Sequence, residues 1–458
     1  MENNRVDIVE ELTTLIEQRR PGKIREAFAD MNVVDIAEVL EELAAEQMLI
    51  AYRVLPKETA AEVFSYMETD AQEELLRILT DRELATVMDG LCMDDAADLL
   101  EEMPAGVVKR LMRMTSAEDR RNLNQLLQYP EDSAGGVLTT EFVDLKADMT
   151  VKAAFRYIRA SGPDKETIYT CYVIDANRRL QGVITVRELL LANEEDRVGD
   201  LMETNVIAAT TTDDQESVAH LFAKYDLIAL PVVDSEQRLV GIITVDDVVD
   251  ILQQEATEDM EMMAAITPTD KTYFRTGVWE TFKKRIPWLL LLMVSATFTG
   301  VIITSFEAAL AASVALTAFI PMLMDTGGNT GSQASVTVIR GLALGDIEFH
   351  DFFRVVWKEI RVAVLCGVTL SAAMFLKILV VDQWMLGSPV TLLEAAVVCI
   401  TLAVTVLSAK VVGCALPLLA KKIGFDPAVM ASPFITTIVD AISLLVYFRI
   451  ATALLHLT

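Results

Sequence analysis

Residues 427–455 read PAVMASPFITTIVDAISLLVYFRIATALL. At about 1.5 Å of rise per residue, a helix of this length exceeds the roughly 30 Å of bilayer hydrocarbon. Near its middle stands a single carboxylate, Asp440. An aspartate at mid-bilayer costs roughly 2.5–3.5 kcal/mol. Thr436, Thr437, Asp440, Ser443 and Tyr447 recur at helical spacing and define one face. A polar stripe carrying an anion faces protein or a water-filled path, not lipid. Two readings follow. The stripe lines a cation route, or Asp440 is structural, hydrogen-bonded or paired with a lysine of a neighbouring helix.

Upstream lie four more apolar segments: Pro287–Phe306, a second from Ala308, about Val355–Val381 and about Val390–Leu419. The second is expected to be interrupted, at Pro321 and at Asp325-Thr-Gly-Gly-Asn-Thr-Gly. Basic clusters alternate with the spans: Lys283, Lys284 and Arg285; then Arg340, Arg354, Lys358 and Arg361; then Lys421 and Lys422. The loops around Glu307 and 382–388 carry no Lys or Arg. Five spans with the basic clusters inside place the amino end in the cytosol and the carboxyl end outside. The start, MENNRVDIVEEL, has no basic region followed by an apolar run, so no signal peptide is expected.

Charge is unevenly spread. Residues 1–270 hold 56 acidic and 25 basic side chains, whereas residues 271–458 hold 11 and 14. An acidic, soluble-looking front half therefore precedes an oily, nearly neutral back half. Such a front repels phosphates, which argues against a nucleic-acid partner, and it suits cations or plain solubility. Cys92, Cys171, Cys366, Cys399 and Cys414 show no paired spacing, and His220, His350 and His456 are scattered. Neither a disulfide framework nor a zinc site is indicated.

Residues 1–130 read as short helices, with apolar positions every three to four residues and breakers at Pro21, Pro56, Gly90 and Pro104. Loosely recurring phrases suggest stacked helix pairs in a superhelix. Residues 131–252 hold a duplication: YVIDANRRLQGVITVREL (172–189) aligns with PVVDSEQRLVGIITVDDV (231–248), 59 positions on. Each copy is a strand, a polar turn, a second strand and a Thr-x-x-acid that opens a helix. The pattern resembles a tandem pair of CBS domains. Residues 253–286 begin as an acidic connecting helix, and residues 287–458 form the membrane part. The expected fold is thus multidomain: an α-helical superhelical N domain, an α/β tandem CBS pair, a connecting helix and an all-α five-helix transmembrane domain.

The second span contains PMLMDTGGNTGSQ (321–333). Glycine and proline at membrane depth can free backbone carbonyls or let helices approach closely. Asn329, Thr330, Ser332 and Gln333 offer neutral oxygens that could hold a hydrated cation by its waters; a small-residue packing seam is the alternative. No Lys-Ser/Thr follows the glycines, so a phosphate loop is excluded.

Taken together, the acidic helical front, the duplication, the connecting helix, PxxxxxGGNxGxQ and DPAVMASPFITTIVDAISLL resemble the MgtE family of magnesium channels over nearly the whole chain. The resemblance implies a homodimer in the plasma (inner) membrane, with a pore on the dimer axis and Asp440 as its carboxylate. Thr436, Ser432, Asn329, Gly328 and Asp426 are the further pathway candidates. At the phrase Ala431-Ser432-Pro433 the family often has Asn where Ser432 stands. The resemblance also implies closure by cytosolic Mg²⁺, which glues the helical domain, CBS pair and connecting helix together. The candidate ligands are Asp94, Asp95, Asp98, Glu216, Asp226, Asp247, Asp250, Glu255, Glu258 and Asp259. CBS pairs often bind adenine nucleotides, and Tyr169, Arg187, Glu188, Thr244 and Asp247 could meet ATP. Thr185 and Glu188 form the matching Thr–acid pair of the first repeat, with Glu where a ribose site usually has Asp. No Walker motif and no hydrolase, kinase or redox constellation is present, so an enzyme is not expected. The competing readings are a broader importer of Co²⁺, Mn²⁺ or Ni²⁺ and a CBS-regulated anion channel. The lack of membrane His or clustered membrane Cys argues against a preference for soft metals.

Overall fold

The computed structural model describes residues 2–117, 119–130, 132–269, 273, 276–307, 314–387 and 390–456, with the side chains of 2–7, 164, 314 and 432 outside that description. The chain divides into two compact units, Met1–Leu252 and Gln253–Thr458.

The first unit opens with ten described helices: α1 (Glu2–Glu17), α2 (Pro21–Ala29), α3 (Val33–Glu41), α4 (Ala45–Tyr52), α5 (Lys57–Ser65), α6 (Thr69–Ile78), α7 (Asp81–Met88), α8 (Met93–Glu102), α9 (Ala105–Met114) and α10 (Asp119–Leu126). Each is too short to be stable alone, so packing of its apolar stripe must hold it. In α8 that stripe is Ala96, Ala97, Leu99 and Leu100. Helix starts follow local chemistry. Pro21 sits in the first turn of α2, where its missing N–H is harmless, and Thr80 and Glu83 close a capping box on α7.

The duplicated segment gives two matching sheets, β1 (Val143–Leu145) with β2 (Thr170–Ile174) and β3 (Leu180–Thr185), and β4 (Ala209–Thr210) with β5 (Ala229–Val233) and β6 (Leu239–Thr244). In both, the first pair is parallel and the second antiparallel. Between the strands lie α11 (Val151–Ser161), α12 (Val186–Leu191), α13 (Val198–Leu201) and α14 (Gln215–Tyr225). The hairpin turns join the copies: Leu180 N–H donates to Gln237 C=O at 3.1 Å, and Leu239 N–H to Arg178 C=O at 2.9 Å. The Thr-x-x-acid signal behaves as expected. Glu188 accepts from Thr185 N–H at 2.7 Å, and Asp247 accepts from the Thr244 hydroxyl at 2.7 Å. A continuous buried cluster runs from Leu12 through the helical domain to Leu138, Phe222, Ile243 and Ile251 of the second repeat, whereas the first repeat keeps its own core around Val173 and Ile184. Helix α15 (Val245–Met263) begins in the first unit and ends in the second.

The second unit contains α16 (Val278–Ser305), α17 (Val314–Thr317), α18 (Ile320–Ala343), α19 (Phe352–Lys377), α20 (Leu392–Lys422) and α21 (Ser432–Leu455). Among the described residues, four helical stretches are long and apolar enough to cross a membrane: Val278–Ser305, Phe349–Met385, Leu392–Lys422 and Pro427–Leu455. The fifth long helix, α18, carries the GGNTGSQ run. Ala308, where the sequence reading starts this span, lies outside the described residues.

The expected interruption is not observed. Helix α18 is continuous from Ile320 to Ala343, and Pro321 sits in its first turn, where proline needs no N–H partner. The glycines serve close packing instead, the alternative left open above. A Cβ at Gly413 of α20 would stand 2.3 Å from the Gly331 carbonyl oxygen, and one at Gly328 would stand 2.9 Å from Thr436 Cγ2 of α21. Gly413→Ala is therefore expected to force the two backbones apart. At a typical overpacking cost of about 1–3 kcal/mol, it should lower the thermal midpoint of the purified chain by several degrees. Gly300→Ala on α16, where nothing lies within 4 Å of the new Cβ, should leave the midpoint unchanged.

Candidate functional site

Two groups of carboxylates stand out, one in each unit. In the second unit, α18 is held by α20 and α21 through Gly327, Gly328, Gly331, Ala334, Ser335 and Val338, all buried. Its opposite face is polar and open: Asp325, Asn329, Gln333, Thr337 and Arg340 are exposed. Along α21 the polar stripe splits. Tyr447 is fully buried and donates to the Leu316 carbonyl at 2.9 Å, and Ser443 is buried and donates to Val439 C=O at 2.6 Å. Neither lines a path; both satisfy backbone oxygens inside the bundle. Thr436 stays against Gly328.

Asp440 differs from the other bundle charges. Its Oδ1 is buried and, among the described residues, has no hydrogen-bond partner. The lysines that could neutralise it are engaged elsewhere. Lys410 lies 3.3 Å from Glu359 in a buried ion-pair contact, and Lys377 lies 2.8 Å from Asp382. Among the described residues, the charge that bears on Asp440 is another carboxylate, Asp325. Among the described residues Asp440 is thus not the lysine-paired structural carboxylate that the sequence left open, and neither it nor Asp325 of α18 has a basic partner. Asp325 escaped the sequence reading as a candidate, although its position one turn before Asn329 on the same face was a usable signal. Asn329 lies on the exposed face. Ser432 begins α21 with its side chain outside the described residues. Asp426 caps the turn at 427–430, accepting from Ala428 N–H at 2.7 Å. That turn packs with Ile339, and Met262 and Met263 at the end of α15 rest on the same apolar spot with Ala428 and Ala431.

In the first unit, α8 presents Asp94, Asp95 and Asp98 towards Asp247 at the start of α15, with Glu141 and Glu166 of the first CBS repeat beside them. Local sequence explains the placement. Asp94 and Asp95 occupy the first turn of α8, where the helix dipole favours anions, and Asp98 follows one turn later on the same face. Glu141 accepts from Met93 N–H at 3.1 Å and so ties the start of α8 to the sheet domain. One atom each of Cys92, Glu141 and Glu166 lies within 4.8 Å of the other two.

Confinement by surrounding protein, then mutual repulsion, raises these acids. Asp95 and Asp98 keep solvent contact, yet Asp95 is pushed up to about 6 by confinement and by Asp247, and Asp98 to about 7 by confinement and by Asp95. Asp247 rises to about 6 by the same confinement and by Asp246, against the lowering bond from Thr244. Asp94, half-buried, rises well above the carboxylate range by confinement and then by Asp247. Among the described residues no basic group enters this balance as a main cause; a bound divalent cation could.

The other predicted ligands lie on α14 and along α15. Glu216 opens α14 and has His220 at 3.8 Å; Asp226 closes the helix in a left-handed conformation (φ 52°). The helix separates them by roughly 15 Å, so they do not share one ion with each other. Asp250 is exposed on α15, and Glu255, Glu258 and Asp259 follow on its stretch in the second unit. Glu141, Glu166 and Cys92 were missed because only folding brings the first repeat against α8. Of the nucleotide candidates, Tyr169 and Arg187 are exposed, and Glu188 and Asp247 each spend one carboxylate oxygen on the threonine that precedes their helix.

Residues 320–450 match the family model described as a divalent cation transporter, residues 31–132 that of an MgtE intracellular N domain, and residues 134–195 and 198–254 those of CBS domains. The magnesium transporter MgtE of Thermus thermophilus is 38% identical over 437 residues, covering 94% of this chain and 95% of that protein. The magnesium transporter MgtE of Bacillus subtilis is 34% identical, covering 95% and 96%. Among solved structures, the cytosolic domain of the Mg²⁺ channel MgtE in complex with ATP is 38% identical, covers 53% of this chain and 99% of that one, and superposes with a TM-score of 0.51. The soluble part of a magnesium transporter is 28% identical, covers 55% and 99%, and superposes at 0.52. With its helical N domain, its CBS pair and an apolar helical bundle carrying uncompensated carboxylates, the chain belongs to the MgtE family of divalent cation transporters.

Proposed function

We propose that the chain is a Mg²⁺-selective channel that works as a homodimer in the plasma membrane, with the helical domain and CBS pair in the cytosol. The observation that carries this reading is Asp440, which among the described residues has no hydrogen-bond partner for its buried Oδ1 on a largely apolar helix, together with the exposed polar face of α18. A polar face at membrane depth needs protein or water against it. A second copy supplies both, because two such faces enclose a hydrophilic path with an Asp440 from each subunit. Mg²⁺ takes octahedral oxygen ligands and gives up its waters reluctantly, so paired carboxylates gripping the hydrated ion suit it better than a dry cage. Asn329 and Thr436 add neutral oxygens along the path, with Gly328 keeping it clear; Ser432 and Asp426 stand towards its inner end. No energy source is needed, since a divalent ion moving inward through 100 mV gains about 4.6 kcal/mol. The names of three relatives that match over 94–96% of this chain, all magnesium transporters, support the choice of ion.

The acidic group of the first unit then acts as a sensor. Asp94, Asp95, Asp98 and Asp247 repel one another when unliganded and are bridged when Mg²⁺ binds. Asp250, Glu255, Glu258 and Asp259 continue the acidic run along α15, which carries the state of the group towards Met262 and Met263. Glu216 and Asp226 belong to separate, weaker ion positions. ATP at Tyr169, Arg187, Glu188, Thr244 and Asp247 is the further reading that the complex of the related cytosolic domain supports. Asp247 would then serve both ligands.

Flux into liposomes tests the pathway. Asp440→Ala should insert and dimerise normally yet pass Mg²⁺ no faster than empty liposomes; wild-type flux would remove Asp440 from the path. Running Mg²⁺, Co²⁺ and Cl⁻ side by side separates the magnesium reading from a broad divalent importer and from an anion channel. For the sensor, Asp95→Asn, Asp98→Asn and Asp247→Asn combined should keep conducting at internal Mg²⁺ that closes the wild type; unchanged closure would place the sensor elsewhere. The raised acids also predict a pH effect. Their folded pKa values exceed the unfolded ones, so the folded chain binds more protons between about pH 4 and 7, and stability falls as pH rises through that window. In chelator, the melting midpoint of the full chain should drop from pH 5 to pH 8, and millimolar Mg²⁺ at pH 8 should restore it.

A further inference from the structure

Helix α19 presents an exposed face with two chemically distinct parts. Its inward positions, Val355, Glu359, Ala363 and Gly367, are buried. Its outward positions begin with Phe353, Arg354, Trp357, Lys358 and Arg361, all exposed, and continue as Val364, Leu365, Val368, Phe375 and Leu376, also exposed. Arg354, Lys358 and Arg361 follow one another at helical spacing, so three cations share one side within about 10 Å of axis. Their neutralisation is slight. The Arg354 side chain is 90% exposed and touches Asp351 only at 3.9 Å. A further cation, Lys422, sits 4.2 Å over the ring of Phe349, in the turn that leads into the same helix.

This order of groups matches the profile of a bilayer leaflet. Aliphatic side chains meet acyl chains, aromatic rings sit at the interface, and long basic side chains reach back to the headgroups. We infer that the Arg354–Lys358–Arg361 face, flanked by Phe353 and Trp357, is a binding surface for the headgroup of an anionic phospholipid. Charge complementarity selects the anionic headgroup: three exposed cations on one face need a phosphate-rich partner, and a zwitterionic headgroup offers no net charge. The aliphatic continuation selects a lipid, because a free phosphate would leave Val364, Leu365 and Val368 uncovered. Bidentate guanidinium contacts to phosphate suit Arg354 and Arg361, with Lys358 as a point charge between them. The inference rests on the membrane reading of α19 but not on which ion the bundle passes.

Trp357 reports on this surface directly. The full chain bearing Trp279→Phe, Trp288→Phe and Trp384→Phe leaves Trp357 as its tryptophan. In mixed liposomes, brominated phosphatidylglycerol should occupy the site about fivefold over brominated phosphatidylcholine, read from the quenching of Trp357. Arg354→Gln, Lys358→Gln and Arg361→Gln together should bring the two lipids to parity, while Arg354→Lys with Arg361→Lys should keep a clear preference. Equal quenching by both lipids in the unsubstituted face, or a preference that survives the triple glutamine change, would overturn the inference. Should the triple variant fail to insert, molar salt on the unsubstituted face decides instead. It shortens screening to about 3 Å and should erase the preference, and a preference indifferent to salt would overturn the inference. Ion flux plays no part in this readout, so its failure and the failure of the channel reading are distinguishable.

Discussion

The close approach of α18 to α20 and α21 is the constraint on which the second unit depends. Helix α18 is too polar to sit in lipid unaided, and it becomes tolerable there only when two apolar helices cover most of its circumference. Glycines make that possible. Gly413 faces the Gly331 carbonyl so closely that even a methyl group would collide, and Gly327 and Gly331 pack against Val439 and Ile435. Between helices in a bilayer, where lipid competes for apolar contact, such backbone proximity supplies dispersion contacts that larger residues would forbid. The same packing leaves one face of α18 uncovered, and that face is where Asp325 and Asn329 stand.

The bundle sorts its charges by whether they are answered. Glu359 and Lys410 are both buried and pair across α19 and α20, and Lys377 and Asp382 pair near the other end of α19. The buried Glu359–Lys410 pair adds little net stability, but losing either partner would strand a charge, so it holds α19 and α20 in register. Among the described residues, Asp440 and Asp325 have no such answer. Leaving such carboxylates without a basic partner where desolvation is costly is expensive, which is why they carry the proposed ion path. The acidic group of the first unit follows the same rule in a wetter setting. Confinement raises Asp94, Asp95, Asp98 and Asp247 together, so that their charge depends on pH well above the ordinary carboxylate range.

Much of this was legible in the residues. Helical periodicity marked the short helices of the front half. The duplication foretold two like sheets, down to the threonine–acid pairs at Thr185–Glu188 and Thr244–Asp247. These features are local: they depend on residues within a turn or a hairpin of one another. The expected break in α18 failed because glycine's helix penalty of about 1 kcal/mol is small beside the packing that holds that helix. Ser443 and Tyr447 share a face with Asp440 in sequence, yet they turn into the bundle because Val439 and Leu316 offer them carbonyls there.

By itself, the sequence determined where the long apolar helices lie, the halves that carry charge, the repeated fold of the CBS pair and the identity of Asp440 as the costly residue. Those follow from hydropathy, period and local capping, which act over a few residues. Only the tertiary structure decided which charges were neutralised. Lys410 could have answered Asp440 or Glu359, and Glu141 belonged to no recognisable pattern until folding set it beside α8. Coulomb interactions and desolvation depend on distance through space, and residues far apart along the chain acquire that distance only when the helices pack.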